Sequence, residues 1–238
     1  MTRVITIAKR ELFSYFTSPV AYVAMTLFLL VCGFLFRNDF ISGRPAGMRT
    51  IFEWMVWLLV FIIPVLCMGL LAQELSSGTI ETMMTAPISE TDLVGGKFLG
   101  SFGFFVVLML PTILYVVMLR MFSHPDLGPI VSGYLGILMI GALFIAIGLL
   151  CSSLTRSQVV AAVTSSAVLF LITIVPWWAG SQALLSDFWR GVTEQMVFTR
   201  YTDFSRGVID TGHIIFFIVS TFVCLFVTVK VMESRRWK

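Results

Sequence analysis

Gly95-Gly96-Lys97-Phe98 is where chemistry first suggests itself, because a glycine–lysine pair opening a helix is one way proteins cradle phosphate. The spacing rejects that use. A phosphate loop needs a further glycine where Thr91 stands and a Ser or Thr where Phe98 stands. The chain therefore has no nucleotide site of this kind, and energy for any active work must come from another protein. Other reactive types are as sparse. His124 and His213 lie far apart and outside any HExxH pattern, and no GxSxG elbow occurs. Cys32, Cys67, Cys151 and Cys224 fall within apolar runs or at their edges with no CxxC pair, which reads as helix packing rather than metal or redox chemistry. No catalytic residue, no metal site and no cofactor bound by this chain are expected.

The elements around these residues are oily. Of 238 residues, 58% are hydrophobic and only 12% charged, where a soluble domain carries about 25% charge. A compact soluble core could not hide that much apolar surface, so the class is an all-α integral membrane protein. A net charge of +3 gives no reason to expect nucleic acid as a partner. Arg3, Lys9 and Arg10 resemble a signal n-region, but no small-residue cleavage site follows, so no processing is expected.

Crossing a bilayer takes about 20 apolar residues in a helix. Six stretches qualify: Leu12 to Phe36, Trp54 to Gln73, Phe98 to Leu119, Leu127 to Thr155, Ser157 to Ser186 and Thr211 to Val229. Pro19 and Pro129 mark span starts, while Pro64 and Pro111 fall inside spans and predict kinks. The spans contain no Asp, Glu, Lys or Arg away from their ends, which argues against a carrier driven by its own carboxylates. Six crossings put both termini on one side. The basic clusters Arg3, Lys9, Arg10 and Lys230, Arg235, Arg236, Lys238 place that side in the cytoplasm.

Two pieces do not span. Residues 3–18 set Ile5, Ala8, Leu12 and Tyr15 on one stripe away from Arg3, Lys9 and Arg10, as an interfacial amphipathic helix would; a frayed basic tail is the alternative. Residues 179–212 alternate Leu184, Leu185, Phe188, Trp189 and Val192 with Asp187, Arg190 and Glu194, predicting extracytoplasmic re-entrant helices before the last span. Trp177-Trp178 would mark the aromatic belt. No repeat or linker divides the chain, so residues 1–238 form one transmembrane domain.

The polar stretch from 74 to 97 carries Glu74, Glu81, Glu90 and Asp92 between two apolar runs. Gly78 can start a short helix with Glu81 in its first turn, and Pro87 ends it. Ile80, Met83, Met84 and Pro87 share one apolar face. Ser89 and Asp92 form a capping pair for the next helix, and Gly96 with Gly100 gives a GxxxG step for close helix contact. The apolar face either rests on headgroups and the chain's own helix ends or inserts into a groove on a cytosolic partner.

Glu74-x-x-x-Gly78-Thr79-Ile80-Glu81, continuing through Met83-Met84-x-Ala86-Pro87-Ile88-Ser89, resembles a signature of type-2 ABC transporter permeases. Tyr15 to Pro19, Cys151 to Gln158, Asp203-Phe204-Ser205-Arg206-Gly207-Val208-Ile209-Asp210 and Glu233 to Trp237 resemble the gliding-motility (Gld-type) branch. The resemblance implies the transmembrane subunit of a bacterial inner-membrane complex, not itself an enzyme. It implies a coupling helix that docks on a separate ATPase, present in two copies with ATP bound there. It also implies a second permease copy or paralogue, and a partner with a large extracytoplasmic domain. The expected ATPase-contact residues are Glu74, Gly78, Thr79, Ile80, Glu81, Met83, Met84 and Pro87, with Arg156 and Gln158 nearby. Asp203, Phe204, Arg206, Gly207 and Asp210 form the expected extracytoplasmic motif. Two other classes stay open: a scaffold or mechanical subunit that exports nothing, and a stand-alone channel lined by Ser157, Ala161 and Ser165, although that spacing suits close helix packing better.

Overall fold

The computed structural model describes residues 2–41, 47–78, 89–122, 125–181 and 197–236. The described residues are almost wholly helical, with no strand among them. In chain order the helices are α1 (Thr2–Thr17), α2 (Pro19–Ile41), α3 (Arg49–Cys67), α4 (Ala72–Ser77), α5 (Glu90–Met109), α6 (Ile113–Phe122), α7 (Leu127–Leu154), α8 (Gln158–Ser181), α9 (Val197–Ser205) and α10 (Thr211–Arg236). Among the described residues six stretches are long and apolar enough to cross a membrane: Pro19–Asn38, Arg49–Ser77, Glu90–Phe122, Leu127–Leu154, Gln158–Val175 and Thr211–Arg235.

The prolines act as their chemistry requires. Pro19 opens α2 after a break at Ser18, where no N–H is needed from the first helical residue. Pro111 forces a single 3₁₀ turn, Leu110–Thr112, between α5 and α6. Pro64 sits one turn before the end of α3, and the span is interrupted after Cys67 before α4 resumes it.

Helix α7 is the hub. It packs against α3, α5, α8, α9 and α10, and small residues make the approaches possible. A Cβ on Gly133, Gly136, Gly141 or Gly148 would fall within 3.0 Å of Phe52, Phe204, Phe105 and Cys67 respectively. Without a solvent-driven hydrophobic force between helices in lipid, such close backbone approach is a main source of association.

Contact register fixes the direction of each helix. Along α7, Phe52 meets Gly133 and Cys67 meets Gly148, so α3 and α7 run the same way. Gly207, ahead of α10, lies against Pro129, and Arg235 at its other end reaches the Leu154 carbonyl, so α10 agrees with them. The α5–α6 span runs opposite, with Phe105 at Gly141 and Thr112 hydrogen-bonded to Tyr134. The second, fourth and sixth spans therefore run against the third, and one end of the bundle gathers α4, the start of α5, the 155–157 turn and the end of α10. It is called the terminal end below.

Two expectations shift. The packing stripe of α1 keeps Ala8, Leu12 and Tyr15 but is rotated by about 50°: Val4, Ile7 and Glu11 join them facing inward, while Ile5 is 52% exposed. Helix α1 also lies along α5 in the same direction, from Val4 beside Gly95 to Tyr15 stacked on Phe104. Of residues 179–212, α8 continues to Ser181 and α9 covers Val197–Ser205, while the apolar and charged residues from Leu184 to Glu194 lie outside the described residues.

Candidate functional site

The polar segment leaves α4 and enters α5, and both exits are built by local chemistry. Gly78 ends α4 in the left-handed region (φ 71°), a conformation that costs glycine little and other residues more. It thus closes α4; the residues after it lie outside the described ones. Ser77 donates back to the Gln73 carbonyl at 2.9 Å. On the far side, Ser89 is extended and its hydroxyl accepts the Asp92 N–H at 3.2 Å, with Glu90 and Asp92 in the first turn of α5 favouring its dipole. Thr79, Ile80, Glu81, Met83, Met84 and Pro87, with the helix expected there, lie outside the described residues.

Glu74 does not face outward. Its carboxylate meets Lys97 Nζ at 2.8 Å, and the same ammonium lies 3.3 Å from Glu11 on α1. The Lys97 side chain is 3% exposed, and the glutamates 16% and 19%. Lys97 lies two turns inside α5, not at a span end, so an ionisable group is buried where the sequence marked only the edge of an apolar run. Burying an ammonium is costly unless it is paired. Two carboxylates supply the pairing, and they clasp the two ends of the polar segment to each other and to α1.

The clasp sits on a glycine seam. A Cβ on Gly96 would lie 2.7 Å from Ile7, and one on Gly100 would lie 2.6 Å from Glu11 Cβ and 2.9 Å from the Ala8 carbonyl. The GxxxG step thus meets α1. Below it the Tyr15 hydroxyl donates to the Leu66 carbonyl near the end of α3 at 3.0 Å, and the single proton of Ser101 serves either the Tyr15 oxygen at 3.1 Å or the Lys97 carbonyl at 2.9 Å. Burial, then the neighbouring Cys67, push the Tyr15 hydroxyl well above its ordinary pKa, so it remains a donor.

Helix α4 is held from another helix. It has no side-chain cap of its own; the Ser152 hydroxyl of α7 accepts the N–H groups of Leu71 and Ala72 at 3.1 and 3.0 Å and donates to the Met68 carbonyl at 3.2 Å. Nothing in the sequence pattern marks Ser152 for this, although it falls in the stretch before the 155–157 turn.

Gln158, Gln73, Glu11 and Ser14 line one cleft of about 180 Å³ beside the clasp. Arg156 projects from the turn two residues earlier and is exposed. The structure therefore gathers Glu74, Gly78, Arg156 and Gln158 at the terminal end. The motif at Asp203–Asp210 belongs to the opposite end and is largely architectural. The N–H groups of Gly207 and Val208 close α9 on the Phe204 and Asp203 carbonyls, with Gly207 at φ 92°. Phe204 packs into the notch at Gly136, and Asp210 receives the Gly212 N–H at 2.8 Å to start α10. Arg206 is exposed at the rim of a separate cavity with Arg49 and Asp126. Ala161 and Ser165, weighed above as pore-lining, are buried. Among the described residues no group of His, Cys, Asp and Glu could hold a metal ion.

Among the described residues, six apolar spans packed largely through α7, with a charged clasp at the end that holds the polar segment, define a multi-pass membrane protein. The family of ABC-2 family transporter proteins matches residues 15–204, most of the chain, and the chain belongs to that family. It is accordingly a membrane permease subunit and not a nucleotide-binding domain, and membership implies an ABC ATPase subunit as partner. No curated protein matches the chain.

Proposed function

We propose that this permease receives the work of ATP hydrolysis through the segment between α4 and α5, and that its closest functional setting is the gliding-motility (Gld-type) branch of the family. The observation that carries this reading is the Glu74–Lys97 clasp. It joins the two roots of one polar segment at the terminal end, so a push on residues 79–88 is delivered to α4 and α5 together rather than absorbed by the loop. Ile80, Met83 and Met84 supply an apolar face for a groove on the ATPase, with Glu81, Thr79 and Pro87 shaping the helix and Gly78 its entry. Arg156 and Gln158 stand beside that contact, and Glu74 shapes it from within. Two such permeases, identical or paralogous, each with one ATPase, would rock against each other in a bacterial inner membrane, both termini cytoplasmic, with an auxiliary extracytoplasmic subunit on the other face.

The test is reconstitution with the ATPase that co-purifies in mild detergent. Gly78→Pro and Glu81→Arg should each abolish stimulation of ATP hydrolysis while the chain stays folded. Undiminished stimulation in both would defeat the assignment.

A second reading is mechanical work without export. Inside the spans Thr164, Ser165 and Thr228 direct their hydroxyls to carbonyls of their own helices, at Val160, Ala161 and Cys224. The protons of these three hydroxyls are thus spent within their own helices, which favours an apolar cargo or none.

A further inference from the structure

Arg206, at the end opposite the terminal one, has no part in coupling, yet it lines a cavity of about 280 Å³ together with Asp126, Arg49 and Ser205. Among the described residues neither the Arg206 nor the Asp126 side chain has an ion-pair or hydrogen-bond partner. Asp126 stands at the N-cap of α7, where a carboxylate ordinarily accepts an N–H of the first turn, and it accepts none. The Arg206 backbone is fixed, its N–H meeting the Thr202 and Asp203 carbonyls, while its guanidinium is left over. Opposite charges that share a cavity without meeting suit a ligand that brings both counter-charges.

The walls are held in place. The Ser132 hydroxyl lies 2.7 Å from the Phe204 carbonyl, tying α9 to the start of α7, and Gly207 packs on Pro129. Met48, Phe52 and Ile130 form a buried apolar side. Arg49 adds a second guanidinium; its 3.4 Å contact with Glu53 joins two partly exposed side chains, and such a pair contributes little. The charges of Arg49, Arg206, Glu53 and Asp126 cancel, so a neutral zwitterion fits better than a lone anion or cation. Guanidinium forks match the oxygens of a phosphate. Helices α3 and α7 both begin on the cavity without a side-chain cap or an acidic residue in the first turn, which also favours an oxyanion there. Both are spans, so the cavity lies where they leave the apolar layer. Leu127 and Val131 on α7 and Trp54 on α3 are exposed near it, as suits a boundary of tails and headgroups.

We propose that this cavity holds the headgroup of a phospholipid bearing a primary ammonium. Its phosphate rests on Arg206 and Arg49, its ammonium on Asp126, and its acyl chains run along Leu127 and Val131. The inference stands whether or not the polar segment receives the ATPase's push.

The full chain, purified in mild detergent, is titrated with lipid and the bound lipid is counted by native mass spectrometry. Phosphatidylethanolamine should bind about tenfold more tightly than phosphatidylcholine, whose trimethylated ammonium donates no hydrogen bond. It should exceed phosphatidylglycerol, which lacks the ammonium, by a similar factor. Arg206→Gln and Asp126→Asn should each remove most of that affinity, and Asp126→Asn should also erase the preference over phosphatidylglycerol. Arg120→Gln, which removes a charge at the same end but outside the cavity, should bind as the parent does. The preference is a ratio within one variant, so a modest loss of stability does not imitate its disappearance. Equal binding of the three lipids by the parent, or parent-like affinity and preference in both cavity variants, overturns the inference. Displacement by glycerophosphoethanolamine at the lipid's own concentration would make the ligand a soluble zwitterion and overturn the lipid assignment.

Discussion

Ser152 is the residue whose role was least visible in advance and is now most specific. Its hydroxyl accepts two N–H groups at the start of α4 and donates to the Met68 carbonyl, bridging the interruption after Cys67. Cutting it back strands two buried donors, which costs about 1–3 kcal/mol. Ser153 beside it donates only to Leu150 of its own helix. Ser152→Ala should therefore lower the thermal unfolding temperature in detergent clearly, and Ser153→Ala should leave it within error. Equal effects would mean that the α3–α4 break is not held from α7. No pattern rule could have found this, because a serine in an apolar helix reads the same whether it bonds backwards or across. Lys97 escaped for a related reason. A lysine just before an apolar run looks like a span edge until a second helix covers it.

At the scale of elements, the existence of the spans was legible because long uncharged runs have few other solutions, and the prolines placed their interruptions well. The orientation of α1 was legible in part. Ala8, Leu12 and Tyr15 face inward as the stripe predicts, but Ile5 does not, and Glu11, absent from that stripe, spends its stem on Gly100 and its charge on Lys97. The GxxxG step announced a close neighbour but not which one. That neighbour can be tested by crowding. Gly100→Ala sets a Cβ 2.9 Å from the Ala8 backbone carbonyl, which only a movement of α1 relieves, while Gly103→Ala meets the flexible tip of Leu12 at 3.6 Å. Overpacking of the first kind costs about 1–3 kcal/mol. Hydrogen exchange of the α1 amides should accelerate in Gly100→Ala and stay at the parent rate in Gly103→Ala. Parent-like exchange in both would show that α1 does not depend on the seam.

For the whole molecule, the alternation of directions does more than the hydropathy count. Apolar length alone would allow a span to lie on the surface or re-enter. Contacts such as Phe52–Gly133, Cys67–Gly148, Phe105–Gly141 and Thr112–Tyr134 instead require α3 and α7 to point one way and α5 the other. The end of α10 meets the end of α7 where Arg235 reaches the Leu154 carbonyl, so the C-terminus and the 155–157 turn share one end of the bundle. Val208, beyond the closing turn of α9, belongs to the opposite end with Pro129. Charge gives an expectation of sidedness: the terminal end carries Arg3, Lys9, Arg10, Arg235 and Arg236, and the bias of basic clusters toward the cytoplasm predicts that it faces there. In a Cys224→Ser background, an impermeant thiol reagent added to intact cells should label Val208→Cys and neither Ser157→Cys nor Ser234→Cys. After permeabilisation all three should react, since each position is exposed. Labelling of Ser157→Cys and Ser234→Cys without Val208→Cys would invert the orientation but keep the fold. Labelling of Val208→Cys together with only one of them would break the six-crossing path itself. The polar segment would then no longer share an end with both termini, and a single ATPase could not reach the clasp and α1 from one side.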